Sequence, residues 1–392
     1  MKKTRTAALI CEFNPLHTGH EYILSEMKRE RNVICIMSGN FVQRGGPAVA
    51  DKFTRAKSAV LSGADLVIEL PFPCATGSAE YFACGAVSVL DRLSCVDELW
   101  FGCECGDAEK LTEIAQNMLE EKYLSAIDRL SRDEGYALSV QKIYSELYGP
   151  CPELESPNNL LAIEYVKALI RLDSSIKPVA IKREGDFHSE TLGTEKFPSA
   201  TAIRKAISEG QLPVEFMPDS AVAALNEAEN DGLFPVREDG RALLCALRMG
   251  DGEKFALSAG TSGGLGNRIA SLAHQSADAE EFFSALSTKK FTDARIRRTV
   301  YNCLFGITEA DLKSSPDFTQ LLALNSTGRE ILSKIRKTAR IPVITKPADA
   351  PENSRQTVLT DRADAYFTLS LPRPRQSGFF KTLSPYVKEN QE

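Results

Sequence analysis

The stretch Ala7-Ala8-Leu9-Ile10-Cys11-Glu12-Phe13-Asn14-Pro15-Leu16-His17-Thr18-Gly19-His20 decides how this chain reads. Its apolar run stops near Glu12, as a buried parallel strand does, Pro15 turns the chain, and a helix is expected to open near Thr18. Backbone N–H groups at such a helix start suit a phosphate. Gly19 has no Cβ, so a nucleotide can approach the backbone closely, while His17 and His20, three residues apart, project from one side of the first turn. Two imidazoles beside a triphosphate can donate hydrogen bonds to oxygens whose charge grows as the α-phosphorus is attacked. The plainer alternative is a histidine pair that only caps the helix.

Outward from this motif, strand-like and helical runs alternate. Residues 32–37, 65–70, 98–102 and 177–181 are apolar and β-prone, each closed by Gly, Pro, Ser or a charge. Helical spacing is expected over 20–30, 52–62 and 79–90, and in a longer insertion over about 108–173. The alternation predicts an α/β fold, a doubly wound parallel sheet whose ligand lies beyond the carboxyl ends of the strands, where the histidine motif falls. Downstream, 221–228, 241–249, 267–286, 293–304 and 329–338 read as helices. Residues 1–212 are therefore expected to form the nucleotide-binding catalytic domain and 213–392 a mainly α-helical second domain, with the boundary in the Pro-containing stretch around 211–218.

With 392 residues the chain is long for one domain, and its formal charge of −6 excludes a uniformly basic nucleic-acid coat while leaving room for a local basic face. No apolar run reaches the length of a membrane span, and Met1-Lys2-Lys3-Thr4-Arg5 leads into too short an apolar stretch for a signal peptide, so no membrane association and a cytoplasmic location are expected. The cysteines are scattered, and Cys35, Cys84, Cys245 and Cys303 read as small buried hydrophobes. Cys95, Cys103 and Cys105 come closest to a metal pattern but lack a second pair at zinc spacing, so no metal ligands are assigned.

Other site candidates sit at the same end of the expected sheet. The glycine-rich loop 38–47 follows the second strand, and its Gln43 and Arg44 could reach a carboxylate or phosphate; an ordinary turn is the alternative. Asp51, Lys52 and Arg55 open the next helix and read mostly as a solvated face. Gly102 reads either as bare backbone for an adenine or ribose, or as a turn. Near residue 200, Pro198 and Ser199 mark a helix start with Ser199 as N-cap, and Thr201 and Arg204 place a hydroxyl and a guanidinium on its first turn for phosphate oxygens. Arg183, just before that segment, is a further ligand candidate, and His188 reads equally as structural.

Taken together, the Cys11–His20 run, the 37–39 loop with Gln43-Arg44-Gly45, Asp65-Leu66-Val67-Ile68-Glu69-Leu70-Pro71, Ser156-Pro157-Asn158-Asn159 and the 199–204 segment resemble the tRNA(Met) cytidine acetate ligase family, a branch of the H-x-G-H nucleotidyltransferase superfamily. The resemblance implies an ATP-dependent ligase that activates acetate as acetyl-adenylate and acetylates N4 of the wobble cytidine of elongator tRNA(Met). It places ATP contacts at Ile10, Cys11, Glu12, Phe13, Asn14, Pro15, Leu16, Thr18, Gly19, Glu21, Tyr22, Ile23, Gly102, Asn159 and Arg183. In that scheme His17, His20 and Arg204 are catalytic, Ser199 and Thr201 hold phosphates, and Mg²⁺ bridges phosphate oxygens with few protein ligands of its own. Acetate is already ionised, so positioning and charge neutralisation replace a general base.

From 289 to 346 the chain carries twelve Lys and Arg against five Asp and Glu, which suits an RNA footprint; solvated basic helix faces are the alternative. Tyr301 and Phe305 are expected in the core, and no stable protein partner is expected. Two other functions stay open: an adenylyl-transferring enzyme or carboxylate–amine ligase for a small molecule, for which the basic second half is superfluous, and an RNA-binding protein that holds ATP without turnover, which has no use for paired imidazoles.

Overall fold

The computed structural model describes residues 5–129, 136–183, 199–288 and 291–389. The chain opens with β1 (Arg5–Cys11), α1 (Thr18–Glu30), β2 (Arg31–Ser38), a hairpin of β3 (Phe41–Val42) and β4 (Gly46–Pro47), α2 (Lys52–Leu61), β5 (Leu66–Leu70), α3 (Ala79–Arg92) and β6 (Glu98–Cys103). The expected helical insertion divides into α4 (Ala108–Leu119), α5 (Glu121–Arg129), α6 (Tyr136–Tyr148) and α7 (Pro157–Arg171), followed by β7 (Lys177–Lys182). Beyond α8 (Ala200–Ser208) come α9 (Asp219–Asn230), α10 (Gly240–Met249), α11 (Gly252–Phe255), α12 (Leu265–Gln275), α13 (Ala279–Leu286), α14 (Asp293–Phe305) and α15 (Glu309–Lys313). The chain then adds β8 (Thr319–Leu324), α16 (Ser326–Thr338), β9 (Val343–Ile344), α17 (Arg355–Leu369) and β10 (Tyr386–Val387).

The sheet runs β10-β8-β5-β2-β1-β6-β7, with β9 beside β8. The pairs β1/β2, β1/β6, β2/β5 and β6/β7 are parallel, so the fold is α/β with a mostly parallel sheet, and the carboxyl ends of its central strands share one edge. Alternation along β1 divides the core. Ala7, Leu9 and Cys11 face α1, α2 and the buried side chains of α8, α9, α10, α12, α14 and α17. Ala8 and Ile10 face the other layer, of α3, α4, α7 and α16. Covering both faces is what a near-continuous apolar strand requires.

Two elements of the second half escape sequence reading. Thr319-Gln320-Leu321-Leu322-Ala323-Leu324 is rich in helix formers, yet it is buried throughout and pairs antiparallel with β5. Helix α17 buries Gln356, Thr357 and Thr368 along with Leu359, Ala363 and Phe367, which blurs the apolar stripe that periodicity needs. The expected single helix over 267–286 is two, because Asp278 accepts from the backbone N–H of Glu281 and starts α13 anew. Cys245 is exposed on α10 and Cys84 half-buried, whereas Cys35 and Cys303 are buried as expected. Tyr301 and Phe305 lie in the core.

The expectation of a solvated face at the start of α2 is overturned: Asp51, Lys52 and Arg55 are each about 1% exposed. Asp51 caps the helix by accepting from the N–H groups of Phe53 and Thr54. Lys52 Nζ donates to both Glu69 carboxylate oxygens at 3.0 and 2.9 Å and to Asp364 at 3.3 Å. These two carboxylates hold the ammonium charged despite its burial. Arg55 donates to three backbone carbonyls: Ala50 at 2.9 Å, Glu12 at 2.6 Å and Gly39. Burial draws its pKa down to about 10, which leaves it cationic at neutral pH.

The β3–β4 hairpin is clamped on both sides. Glu12 Oε1 accepts from the Gln43 N–H at 2.7 Å, while Arg298 and Arg297 of α14 donate to the carbonyls of Gln43 at 3.0 Å and Gly45 at 2.9 Å. Gly45 has φ +80°, and a Cβ there would sit 2.4 Å from the Arg298 backbone nitrogen. Gly45→Ala therefore combines a left-handed backbone with overpacking, and it is expected to lower stability by about 1–3 kcal/mol. A urea unfolding midpoint equal to wild type would show that the hairpin does not press on α14.

Candidate active site

The turn from β1 into α1 is built from buried side chains. Phe13 is fully buried, holds φ +45° and meets the His20 ring edge-on at 5.1 Å. Asn14 is pinned twice, with its Oδ1 accepting from the Val49 N–H at 2.8 Å and its carbonyl accepting from Arg204 Nη1 at 3.0 Å. Ile10, Cys11, Pro15 and Leu16 are buried around this turn; burial raises the Cys11 thiol well above its ordinary pKa.

The histidines form a reciprocal capping box. His17 Nδ1 accepts from the Gly19 N–H at 3.2 Å, and His20 Nδ1 accepts from the His17 N–H at 3.3 Å. The rings stack with centroids 3.8 Å apart and 29° between planes. Burial, followed by the charges of Arg183 and Arg204, pushes His17 down to about 3, and burial followed by His17 lowers His20 as well. Both rings are thus neutral at pH 7. A nitrogen that accepts a hydrogen bond carries a lone pair, so each proton sits on Nε2, on the far edge of the ring. The expectation that the backbone N–H groups here face a phosphate is corrected for His17 and Gly19: their N–H groups are taken by imidazole, and Nε2–H is the donor left over. Capping and a spare donor are thus not alternatives in this turn. Thr18 adds a buried Oγ1 with no partner among the described residues.

Across from the histidines, Ser199 Oγ accepts from the Ala202 N–H at 3.0 Å and caps α8, as expected. Thr201 Oγ1 accepts from Arg204 Nη2 at 3.1 Å, so this hydroxyl aims the guanidinium while keeping its own proton to donate. Burial and the neighbouring charge of Arg44 draw Arg204 down to about 10, still cationic. Arg183 joins the cluster through the end of β7. A Cβ on Gly102 would lie 3.1 Å from the Arg183 side chain and 3.5 Å from Ile23, so Gly102 is bare where those two residues pack.

Asn159 is 2% exposed, and its Oδ1 accepts from the N–H groups of Glu104 at 3.0 Å and Cys105 at 3.2 Å. Its amide nitrogen donates to the Glu153 carbonyl at 3.0 Å, so the side chain shapes the loop after β6. Glu104 in turn accepts from Asn158 Nδ2 at 2.6 Å and from the Asn159 N–H at 3.0 Å, next to Arg183. Glu104 carries no signal of its own in the sequence, whereas Asn158 lies within the Pro-Asn-Asn run and Arg55 is read there mostly as a solvated charge. Glu21 is half-buried and Tyr22 44% exposed on the first two turns of α1. His188 and Pro198 lie outside the described residues.

A mostly parallel sheet with a histidine pair and two arginines at its carboxyl edge has the fold of a nucleotidyltransferase, and the family model for HIGH Nucleotidyl Transferase matches residues 4–379. A tRNA(Met) cytidine acetate ligase of Acetivibrio thermocellus is 39% identical over 369 residues, which span 88% of this chain and 89% of that protein. Its counterpart from Halothermothrix orenii is 38% identical over 391 residues, 92% of each chain. The chain belongs to the tRNA(Met) cytidine acetate ligase family. Two solved structures of Thermotoga maritima TmcAL match over 99% of this chain and 100% of theirs: the apo form at TM-score 0.91 and 29% identity, and the form bound with alpha-thio ATP at TM-score 0.88 and 28% identity.

The depressed histidines carry a sign for stability. Unfolded imidazoles take up protons near pH 6.5 that the folded rings refuse, so stability is full above 6.5 and falls as pH drops towards about 3. In ligand-free protein the urea midpoint should fall more steeply between pH 7 and pH 5 for wild type than for His17→Asn/His20→Asn, since Asn can cap without titrating. Parallel profiles would mean that the pair is not held neutral.

Proposed function

We propose that this protein is an ATP-dependent ligase that joins acetate to the α-phosphate of ATP, releases pyrophosphate, and passes the acetyl group from the adenylate to N4 of the wobble cytidine of elongator tRNA(Met). The reading rests above all on the stacked, neutral histidine pair, with the charge of Arg204 close enough to act on His17. In the first step an acetate oxygen bonds to the α-phosphorus as the bond to pyrophosphate breaks. His17 and His20 donate to the oxygens that gain charge, and Arg204 and Arg183 neutralise the triphosphate. Thr18, Ser199 and Thr201 supply hydroxyl donors. Asn159 acts by placing the loop after β6, and Gly102 gives room beside Ile23 and Arg183. The remaining contacts expected over residues 10–23 surround the nucleotide through backbone and packing.

In the second step the exocyclic amine attacks the acetyl carbonyl carbon, AMP leaves with the bonding electron pair, and the amine loses a proton. The base must be presented unstacked for that attack. Mg²⁺ bound together with ATP would supply further charge neutralisation at the phosphates that Arg183 and Arg204 hold. Residues 1–212 carry the nucleotide chemistry in this scheme, and 213–392 supply most of the surface that presents the RNA. No helix among the described residues is long and apolar enough to cross a membrane, and the three substrates, ATP, acetate and tRNA, fit a cytoplasmic setting.

Incubation with ATP, labelled acetate and total tRNA should place label in RNA. AMP and pyrophosphate without labelled RNA would point to a small-molecule acceptor, and bound ATP without AMP to a protein that does not turn over. His20→Ala should cut acetyl-adenylate formation by about 10²–10³-fold, the effect of losing one preorganised donor, with tRNA binding nearly intact. Equal loss of both would make the histidine purely structural.

A further inference from the structure

We propose that the RNA strand carrying the acceptor cytidine crosses the tip of the β3–β4 hairpin and the first turns of α14, its phosphates held by Arg44, Arg298 and Arg295. This assignment rests on the acceptor being RNA. It is carried by a continuous line of arginines leading away from the histidines. Arg204 lies against the turn at Asn14 and feels the charge of Arg44, which is exposed at the hairpin tip. Gln43, the residue before Arg44, has its N–H on Glu12 and its carbonyl on Arg298 Nη1, so the hairpin strand is all that separates the end of β1 from α14. Arg298 feels Arg295 one turn earlier, and Arg295 lies over the Phe291 ring at 4.4 Å.

Neither Arg44 nor Arg298 is paired with a carboxylate among the described residues, whereas Arg297, between the two outer arginines, donates to Glu238 at 2.5 Å. Half-buried guanidiniums set side by side repel one another, and the polyanion best matched to a row of them is a nucleic-acid backbone. The inner members of the row, Arg183 and Arg204, are occupied by the triphosphate in the function proposed above. The outer members stand on the far side of the hairpin.

The basic residues of α16 and Arg340 do not share this face. Helix α16 starts at the opposite edge of the sheet, where Gly328 packs against the carbonyl of Asp65 just before β5 begins. Arg340 is paired with Asp91 at 2.6 Å. Lys289 and Lys290 lie outside the described residues.

The test uses the full-length enzyme with a transcript of elongator tRNA(Met). Arg295→Glu, and Arg298→Gln, which keeps a neutral donor for the Gln43 carbonyl, should each raise the KM for tRNA about tenfold or more. The acetate-dependent exchange of pyrophosphate into ATP should stay within twofold of wild type. The dependence of log KM on log salt should lose about one unit of slope per charge removed. Labelled RNA with unchanged KM in both variants overturns the surface alone. An exchange rate that falls in step with RNA labelling also overturns it, because the arginines would then merely brace the nucleotide site. Wild-type protein that leaves the RNA unlabelled overturns the function and the surface together.

Discussion

Arg55 lies 1% exposed at the carboxyl ends of β1 and β2, where its guanidinium donates to the carbonyls of Glu12, Gly39 and Ala50. The geometry of the site follows from that fork. Glu12 begins the turn to the histidines, Gly39 begins the run to the hairpin, and Ala50 precedes the cap of α2, so one rigid group sets three chain segments against one another. The rigid fork of a guanidinium can serve three carbonyls in fixed directions at once, and its removal would leave each of them buried without this donor. Asp51 and Glu12 offset part of the cost of burying its charge. Lys52, three residues earlier, ties α2 to Glu69 and Asp364 in the same way. The start of α2 is thus an internal strut made of charge, and the loops that bear the site hang from it.

In the proposed function the structural duty of the histidine turn prepares a chemical one. Capping consumes Nδ1 of both rings, and burial keeps them neutral, so the tautomer is decided before any nucleotide arrives. A donor whose proton position is already settled pays no reorganisation at the moment of reaction. The left-handed Phe13 and the pinned Asn14 belong to the same preparation, holding in place a turn that a free chain would seldom adopt.

The first half of the fold was legible because its signals are local. Apolar runs at β1, β2, β5, β6 and β7 are bounded by Gly, Pro or polar residues, and the H-x-G-H spacing carries its meaning within four positions. Ser199 as N-cap was readable for the same reason, whereas the nearness of Arg204 to the motif followed only from the need of a triphosphate for a cation beside the imidazoles. The second half was harder, because β8 is a strand only by virtue of lying beside β5, and α17 buries amides and hydroxyls that a sequence presents as solvent-facing. The buried charges of α2 fail to show for a related reason. Lys52 looks solvated until Asp364, 312 positions away, is brought beside it. Asn159 was found by its motif, but its part in shaping a loop needed the positions of Glu104 and Cys105.

The pairing of β8 with β5 also has a consequence for synthesis. A ribosome delivers β1, β2, β5, β6 and β7 long before residue 319, and during that interval β5 is an open edge with its N–H and carbonyl groups exposed. Asp364, which completes the cluster around Lys52, emerges later still. The first half of the sheet therefore cannot reach its final form until most of the chain has been made, and nascent protein carries an adhesive strand edge while it waits. Completion of the sheet by its last-made strands ties the finished β5 edge to the arrival of the segment that carries α14.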